Sequence, residues 1–240
     1  MKKILVTGAN GQLGQCLQKI SSQFEEFEFI FTDSETLDIT NKEEVNDFFW
    51  QNAPDFCINA AAYTAVDLAE TDVEKAFLVN ADGTENLAEA CAENNAQFIH
   101  VSTDYVFDGE NNLAYTEEDF TNPLGVYGAS QLEGDELALE VNTCAVILRT
   151  SWVYSEFGKN FVKTMLNLFA TKEELNIVAD QFGQPTNAND LAEAIMKIIK
   201  SEKITPGIFN FSNLGRISCF DFAEKIAELS KAKIKLSAIE

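Results

Sequence analysis

Thr103 and Tyr127 are the residues of this chain whose types and placing suit the handling of a proton at a carbonyl oxygen. Hydride addition to a ketone leaves an alkoxide that must gain a proton. A tyrosine phenol beside that oxygen supplies it, and a Ser or Thr hydroxyl polarises the same oxygen. Thr103 lies in S-T-D-Y-V-F-D-G (Ser102–Gly109), at the end of an apolar, strand-like run. Tyr127 opens Y-G-A-S-Q (Tyr127–Gln131), where a helix begins. A Thr and a Tyr are cheap when taken alone, so their meaning depends on the elements that hold them.

A hydride needs a donor, and the chain opens on a turn suited to one. T-G-A-N-G-Q-L-G (Thr7–Gly14) follows a strand-like run and starts an amphipathic one, with glycines at Gly8, Gly11 and Gly14. Gly8 allows the tight turn, Gly11 a close approach of backbone to pyrophosphate, and Gly14 close helix–sheet packing. Free N–H groups through Asn10, Gln12 and Leu13 then face the diphosphate. The second strand ends at Asp33, placed either to accept the adenosine ribose hydroxyls or to be a solvated turn residue. No Lys or Arg occurs between Ser21 and Asn41, which favours NAD(H) over NADP(H). Asp38 and Ile39 could flank the adenine. The small residues of N-A-A-A-Y-T-A-V-D (Asn59–Asp67) either leave room for a flat ligand at a strand's carboxyl end or pack a tight helix–sheet contact.

Strand-like and helical runs alternate from Lys2 to Arg149: strands at 2–6, 28–32, 56–59, 97–101 and 144–149, helices at 12–22, 42–52, 73–94 and 130–141. Continuous apolar strands between amphipathic helices predict an α/β fold, a doubly wound parallel Rossmann sheet. Residues 1–150 would form the dinucleotide-binding domain. Residues 151–240 would form a smaller C-terminal substrate lobe interleaved with it, with helices at 161–169, 190–199 and 218–231, and a strand at 208–212. Ser218 reads as an N-cap with Asp221 three residues on.

The formal charge of −22 repels phosphate backbones and anionic surfaces, so neither nucleic acid nor membrane is an expected partner. Five dispersed cysteines without a C-x-x-C pair read as reduced thiols of a cytoplasmic protein. The single histidine, His100, sits in an apolar run and reads as a core or strand-edge residue, which excludes multi-histidine metal sites.

Taken together, the chain resembles the extended short-chain dehydrogenases and, among them, the dTDP-4-dehydrorhamnose reductase family. The residues that carry the resemblance are T-G-A-N-G-Q-L-G, L-D-I-T (Leu37–Thr40), N-A-A-A-Y-T-A-V-D-x-A-E (Asn59–Glu70), S-T-D-Y-V-F-D-G and P-L-x-x-Y-G (Pro123–Gly128). R-T-S-W-V-Y (Arg149–Tyr154), G-K-N-F (Gly158–Phe161) and D-Q-x-G-x-P-T (Asp180–Thr186) complete the set. The resemblance implies reduction of the 4-keto group of dTDP-4-dehydro-L-rhamnose by NADH or NADPH, in the biosynthesis of rhamnose for an O-antigen or another glycan. It implies that Gly11, Gln12 and Leu13 line the pyrophosphate, and that Asp38 and Ile39 lie near the adenosine. Ala61, Ala62, Tyr63 and Thr64 would run along the cofactor. Thr103, Asp104, Tyr105, Trp152 and Asn160 would meet the substrate, with Tyr127 as proton donor.

Two departures stand out. The family's lysine, four residues after the Tyr, holds the nicotinamide ribose and favours tyrosinate; here it is Gln131, which can hydrogen-bond a ribose hydroxyl but carries no charge. A unit charge about 5 Å away at an effective dielectric of about 20 is worth roughly 3 kcal/mol. A slowed reductase is therefore expected, unless Lys159 or Lys163 compensates. The chain also stops at Glu240, before the family's usual C-terminal segment. In some relatives magnesium links a dimer through acidic residues. Gln15 takes one such place, so no metal is expected, while a homodimer stays open. The alternative reading is a non-catalytic NAD(P)-binding regulatory or partner protein on the same fold, as in the regulatory subunit of methionine adenosyltransferase. An epimerase or dehydratase is disfavoured by R-T-S-W.

Overall fold

The computed structural model describes residues 1–111 and 113–240. In chain order it begins β1 (Lys2–Thr7), α1 (Gln12–Ser21), β2 (Phe27–Phe31), α2 (Lys42–Asn52), β3 (Phe56–Asn59) and α3 (Val66–Ala69). It continues α4 (Val73–Phe77), α5 (Gly83–Glu93), β4 (Gln97–Thr103), α6 (Val126–Val141), β5 (Val146–Thr150), β6 (Val153–Tyr154) and α7 (Phe161–Thr171). The remainder is β7 (Glu174–Val178), β8 (Phe182–Gly183), β9 (Thr186–Asn187), α8 (Ala188–Lys200), β10 (Gly207–Asn210), β11 (Ile217–Ser218), α9 (Cys219–Ser230) and β12 (Lys235–Ile239).

Six strands form one parallel sheet in the order β10-β5-β4-β3-β1-β2. Side chains of β1 alternate between its faces, as pleating requires. Ile4 and Val6 pack with Leu13 and Leu17 of α1 and Leu191 and Ile195 of α8. Leu5 packs with Phe49 of α2 and Leu87 of α5. Both faces are thus covered, which is why the strands read as unbroken apolar runs. The chain leaves β1 toward β2 on one side and returns to β3 on the other, so a crevice opens at the β1/β3 carboxyl ends.

A second, smaller core gathers Met165, Ile177, Ala223 and Ile226, with Phe161 and Phe222 stacked at 5.4 Å. It is built from α7, α9 and the parallel pair β7–β12. α8 and β10, though late in sequence, return to the large sheet.

Besides the short elements α3, β6, β8, β9 and β11, which the sequence reading does not contain, three larger features differ from it. The helix expected at 73–94 is interrupted by a π-helical turn at Leu78–Asp82. There Asn80 bonds sideways, to Tyr63 and Ser130. α6 starts at Val126, next to the helix opening read at Tyr127 but four residues before the amphipathic run at 130–141, and an acid distant in sequence caps it. The strands β7 and β12 were not expected; their faces are only half-buried and lack a clear period.

Candidate active site

The glycine turn is shaped by contact as much as by charge. Gly8 has φ +66, and a Cβ there would meet the backbone of Ala60 and Ala61. A Cβ on Gly14 would collide with the backbone of Gly8 and Ala9. The Gly8–Gly11 turn and the Ala60–Thr64 loop therefore line opposite sides of the β1/β3 crevice, with the N-terminus of α1 pointing into it. No side chain caps that terminus, since Gly11 is the N-cap, so its N–H groups stay available to an anion.

Around the crevice the expected residues are already engaged with one another. The Asp33 carboxylate accepts from Asn10 Nδ2 at 2.6 Å and from the Thr36 hydroxyl at 3.0 Å. The Thr36 hydroxyl, backbone N–H groups and Asn10 together hold its carboxyl below the usual range. Asp38 accepts from the Thr40 hydroxyl at 2.7 Å, while Ile39 is buried against Gly83. Tyr63 is fixed by its backbone N–H to Asn80 Oδ1 at 2.7 Å and by its phenol to Asp72 at 3.1 Å. Gln12 reaches across to the smaller lobe. Its Oε1 accepts from Asn160 Nδ2 at 2.8 Å and from the Ser155 hydroxyl at 3.0 Å. Asn160 also caps α7 by accepting from Lys163 N, and its Nδ2 donates to the Ser155 carbonyl as well, so its amide hydrogens are engaged within the protein. Gln15 donates to the Asn10 carbonyl.

Strand β4 brings Thr103 to the crevice mouth, where its hydroxyl accepts from Tyr105 N at 3.2 Å and donates to Asp104 at 3.3 Å. α6 brings Tyr127 beside it. The Tyr105 and Tyr127 rings meet edge-on at 5.5 Å. Burial pushes the Tyr127 phenol up to about 12; the Thr103 hydroxyl works the other way, and Asp104 and Asp135 add to the rise. Burial likewise pushes the Asp104 carboxyl up to about 6. The charged groups that act on Tyr127 are therefore acids. Neither candidate substitute cation is turned to it: Lys163 donates to the Glu156 carbonyl at 3.0 Å, and Lys159 is exposed.

Gln131 is one turn beyond Tyr127 on the same face of α6. It is almost wholly buried, and its Oε1 has no hydrogen-bond partner. A buried acceptor left alone is costly, so the site suits a ligand hydroxyl there. With the glycine turn, this orphan oxygen fits a dinucleotide whose ribose ends at α6. Trp152 has φ +44 and lies over Gly183, where any side chain would strike the indole.

Sequence reading missed a buried polar chain beneath the site. Thr7 donates to Asn59 at 2.7 Å, and Asn59 Nδ2 lies 3.1 Å from His100 Nδ1. Asp135 sits 3.7 Å from His100 Nε2 and accepts from Arg149 Nε at 3.0 Å. Burial pushes His100 down to about 4 and Asp135 up to about 6, the latter against the pull of Arg149. The i, i+4, i+8 spacing of Tyr127, Gln131 and Asp135 was the available signal.

A dinucleotide crevice at the switch point, with a Thr–Tyr pair at its mouth, defines the class of extended short-chain dehydrogenases. Comparison with known proteins narrows this. The model of the RmlD substrate binding domain family matches residues 1–240. The chain is 44% identical to a dTDP-4-dehydrorhamnose reductase of Aggregatibacter actinomycetemcomitans, over 97% of this chain and 81% of that one. The crystal structure of a dTDP-4-dehydrorhamnose reductase from Clostridium acetobutylicum matches with TM-score 0.95 and 43% identity, over 99% of this chain and 83% of that one. The Bacillus anthracis enzyme, in complex with NADP, matches with TM-score 0.96 and 38% identity, over 100% and 85%. The chain belongs to the dTDP-4-dehydrorhamnose reductase family.

Proposed function

We propose that this protein reduces dTDP-4-dehydro-L-rhamnose to dTDP-L-rhamnose, with NADH or NADPH as reductant. The bound nicotinamide supplies the hydride. The observation that carries the reading is the pairing of Thr103 with Tyr127 at the mouth of the glycine-turn crevice. Thr103 polarises the 4-keto oxygen and Tyr127, protonated at every ordinary pH, delivers the proton to it. Asp104, Tyr105 and Trp152 bound the sugar, and the lobe of α7, α9, β7 and β12 closes over the nucleotide. Gln131 receives a ribose hydroxyl on its orphan Oε1 but lends no positive charge, so turnover runs roughly a hundredfold below that of a site with lysine, two pKa units at the phenol being the difference.

Mixing the protein with dTDP-4-dehydrorhamnose and NADH, and following the nicotinamide absorbance, tests the reading. Steady loss of absorbance supports it. Tight NADH binding with no loss, in this protein and in Gln131→Lys alike, would leave the cofactor-binding partner protein as the better description.

A further inference from the structure

We propose that Glu70 is a positioning residue for Tyr127, acting by capping the helix that carries it from the loop that lines the cofactor crevice. The proposal rests on Tyr127 being the proton donor.

The N-terminus of α6 has a deficit. Its first N–H groups lack intrahelical partners, and Gly125, the N-cap, has no side chain to offer them. The Val126 N–H instead donates to Glu70 Oε1 at 2.8 Å, across 56 residues of chain. A carboxylate suits this place, because the helix dipole presents positive charge there and the hydrogen bond is charge-assisted. Gly125 is part of the arrangement: a Cβ on it would stand 2.8 Å from the same Glu70 oxygen.

Tyr127 comes directly after Val126, so the direction in which its phenol leaves the helix is set by where the first turn closes. One turn later Ser130 Oγ accepts from Asn80 Nδ2 at 2.9 Å, and Asn80 also holds both backbone polar groups of Tyr63. The Ala61–Glu70 segment is thereby fastened to α6 on either side of Tyr127: directly through Glu70 at residue 126, and through Asn80 at residue 130. The cofactor wall and the proton donor consequently move as one body. An error of about 1 Å in a reacting group costs up to a hundredfold in rate; a frayed first turn would cost an intermediate amount.

The experiment compares Glu70→Ala, Glu70→Gln and Gly125→Ala with the unaltered protein, using NADH turnover and amide hydrogen exchange over residues 126–129. Glu70→Ala is expected to lower kcat about tenfold, to leave KM for both substrates within about twofold, and to speed exchange of the first turn of α6. Glu70→Gln, which keeps an acceptor, is expected to recover most of both. Gly125→Ala should resemble Glu70→Ala and add nothing to it in the double variant, since both break one contact. An unchanged kcat and exchange rate in Glu70→Ala, or a Glu70→Gln no better than Glu70→Ala, would overturn the proposal. If the unaltered protein turns over no NADH, that counts against the reductase reading, and the exchange rates alone then decide whether Glu70 holds the turn.

Discussion

The carboxamide of Gln12 accepts a hydrogen bond from the carboxamide of Asn160 at 2.8 Å, joining residues 148 positions apart in the chain. Gln12 stands in the glycine turn, and Asn160 begins α7 of the smaller lobe. Gly158, with φ +59, lies so close to Gln12 that a Cβ there would come within 2.9 Å of its side chain. Removing either side chain takes one hydrogen bond from the other, at about 1 kcal/mol, while Gln12 Oε1 keeps the Ser155 hydroxyl and Asn160 Nδ2 keeps the Ser155 carbonyl. Gln12→Ala and Asn160→Ala should each lower the melting temperature and weaken NADH binding measured by calorimetry, and the double variant should be clearly less than additive. Additive losses would show the contact to be incidental.

Gln131→Lys supplies the missing charge beside Tyr127. Roughly 3 kcal/mol of Coulomb energy at about 5 Å should bring the phenol down and raise NADH turnover by roughly a hundredfold. The pH profile is the more telling readout. With the phenol pushed up to about 12, the unaltered protein should show no loss of reductive rate from tyrosine ionisation up to pH 10. In Gln131→Lys a descending limb should enter the measurable range. Identical profiles would mean that residue 131 does not address the phenol.

Asp33 bears on the choice of reduced nucleotide. Its carboxylate, held ionised by Thr36 and Asn10, stands where a 2′-phosphate would meet like charge. Asp33→Ser should raise kcat/KM for NADPH relative to NADH by roughly tenfold, a modest figure because solvent screens this rim. No change in the ratio would place the nucleotide's ribose elsewhere.

His100 should make the protein acid-sensitive. Its imidazole stays neutral in the folded protein down to about pH 4, whereas in the unfolded chain it takes a proton near 6.5. Stability is therefore intact above pH 6.5 and falls as pH drops toward 4, by about 2–3 kcal/mol at pH 4.5. Asp104 and Asp135, protonated up to about 6 when folded, act in the opposite sense between pH 4 and 6. The histidine's part is thus the difference between this protein and His100→Asn. Urea unfolding at pH 7 and 4.5 should show the unaltered protein losing more; parallel losses would refute the assignment.

The fold was legible because the large sheet is covered on both faces: buried parallel strands leave unbroken apolar runs, and Gly8 and Gly14 mark a turn where backbone touches backbone. Thr103 and Tyr127 were legible by residue type and by the ends of the elements that bear them. The features that escaped notice depend on long-range pairing. Nothing local in Glu70 says that it will cap a helix 56 residues away, and nothing in Asn80 says that its carboxamide will interrupt a helix to clasp Tyr63. The β7–β12 pair escaped for the same reason, being held together by partner strands 61 residues apart at Glu174 and Lys235.

The wide turn at Leu78–Asp82 carries one residue more than a regular helix would use for the same advance. Deleting a single residue there would restore the ordinary winding and leave α4 and α5 in phase, but it would take away the widened turn from which Asn80 reaches Tyr63 and Ser130. Length in this stretch is consequently as constrained as composition.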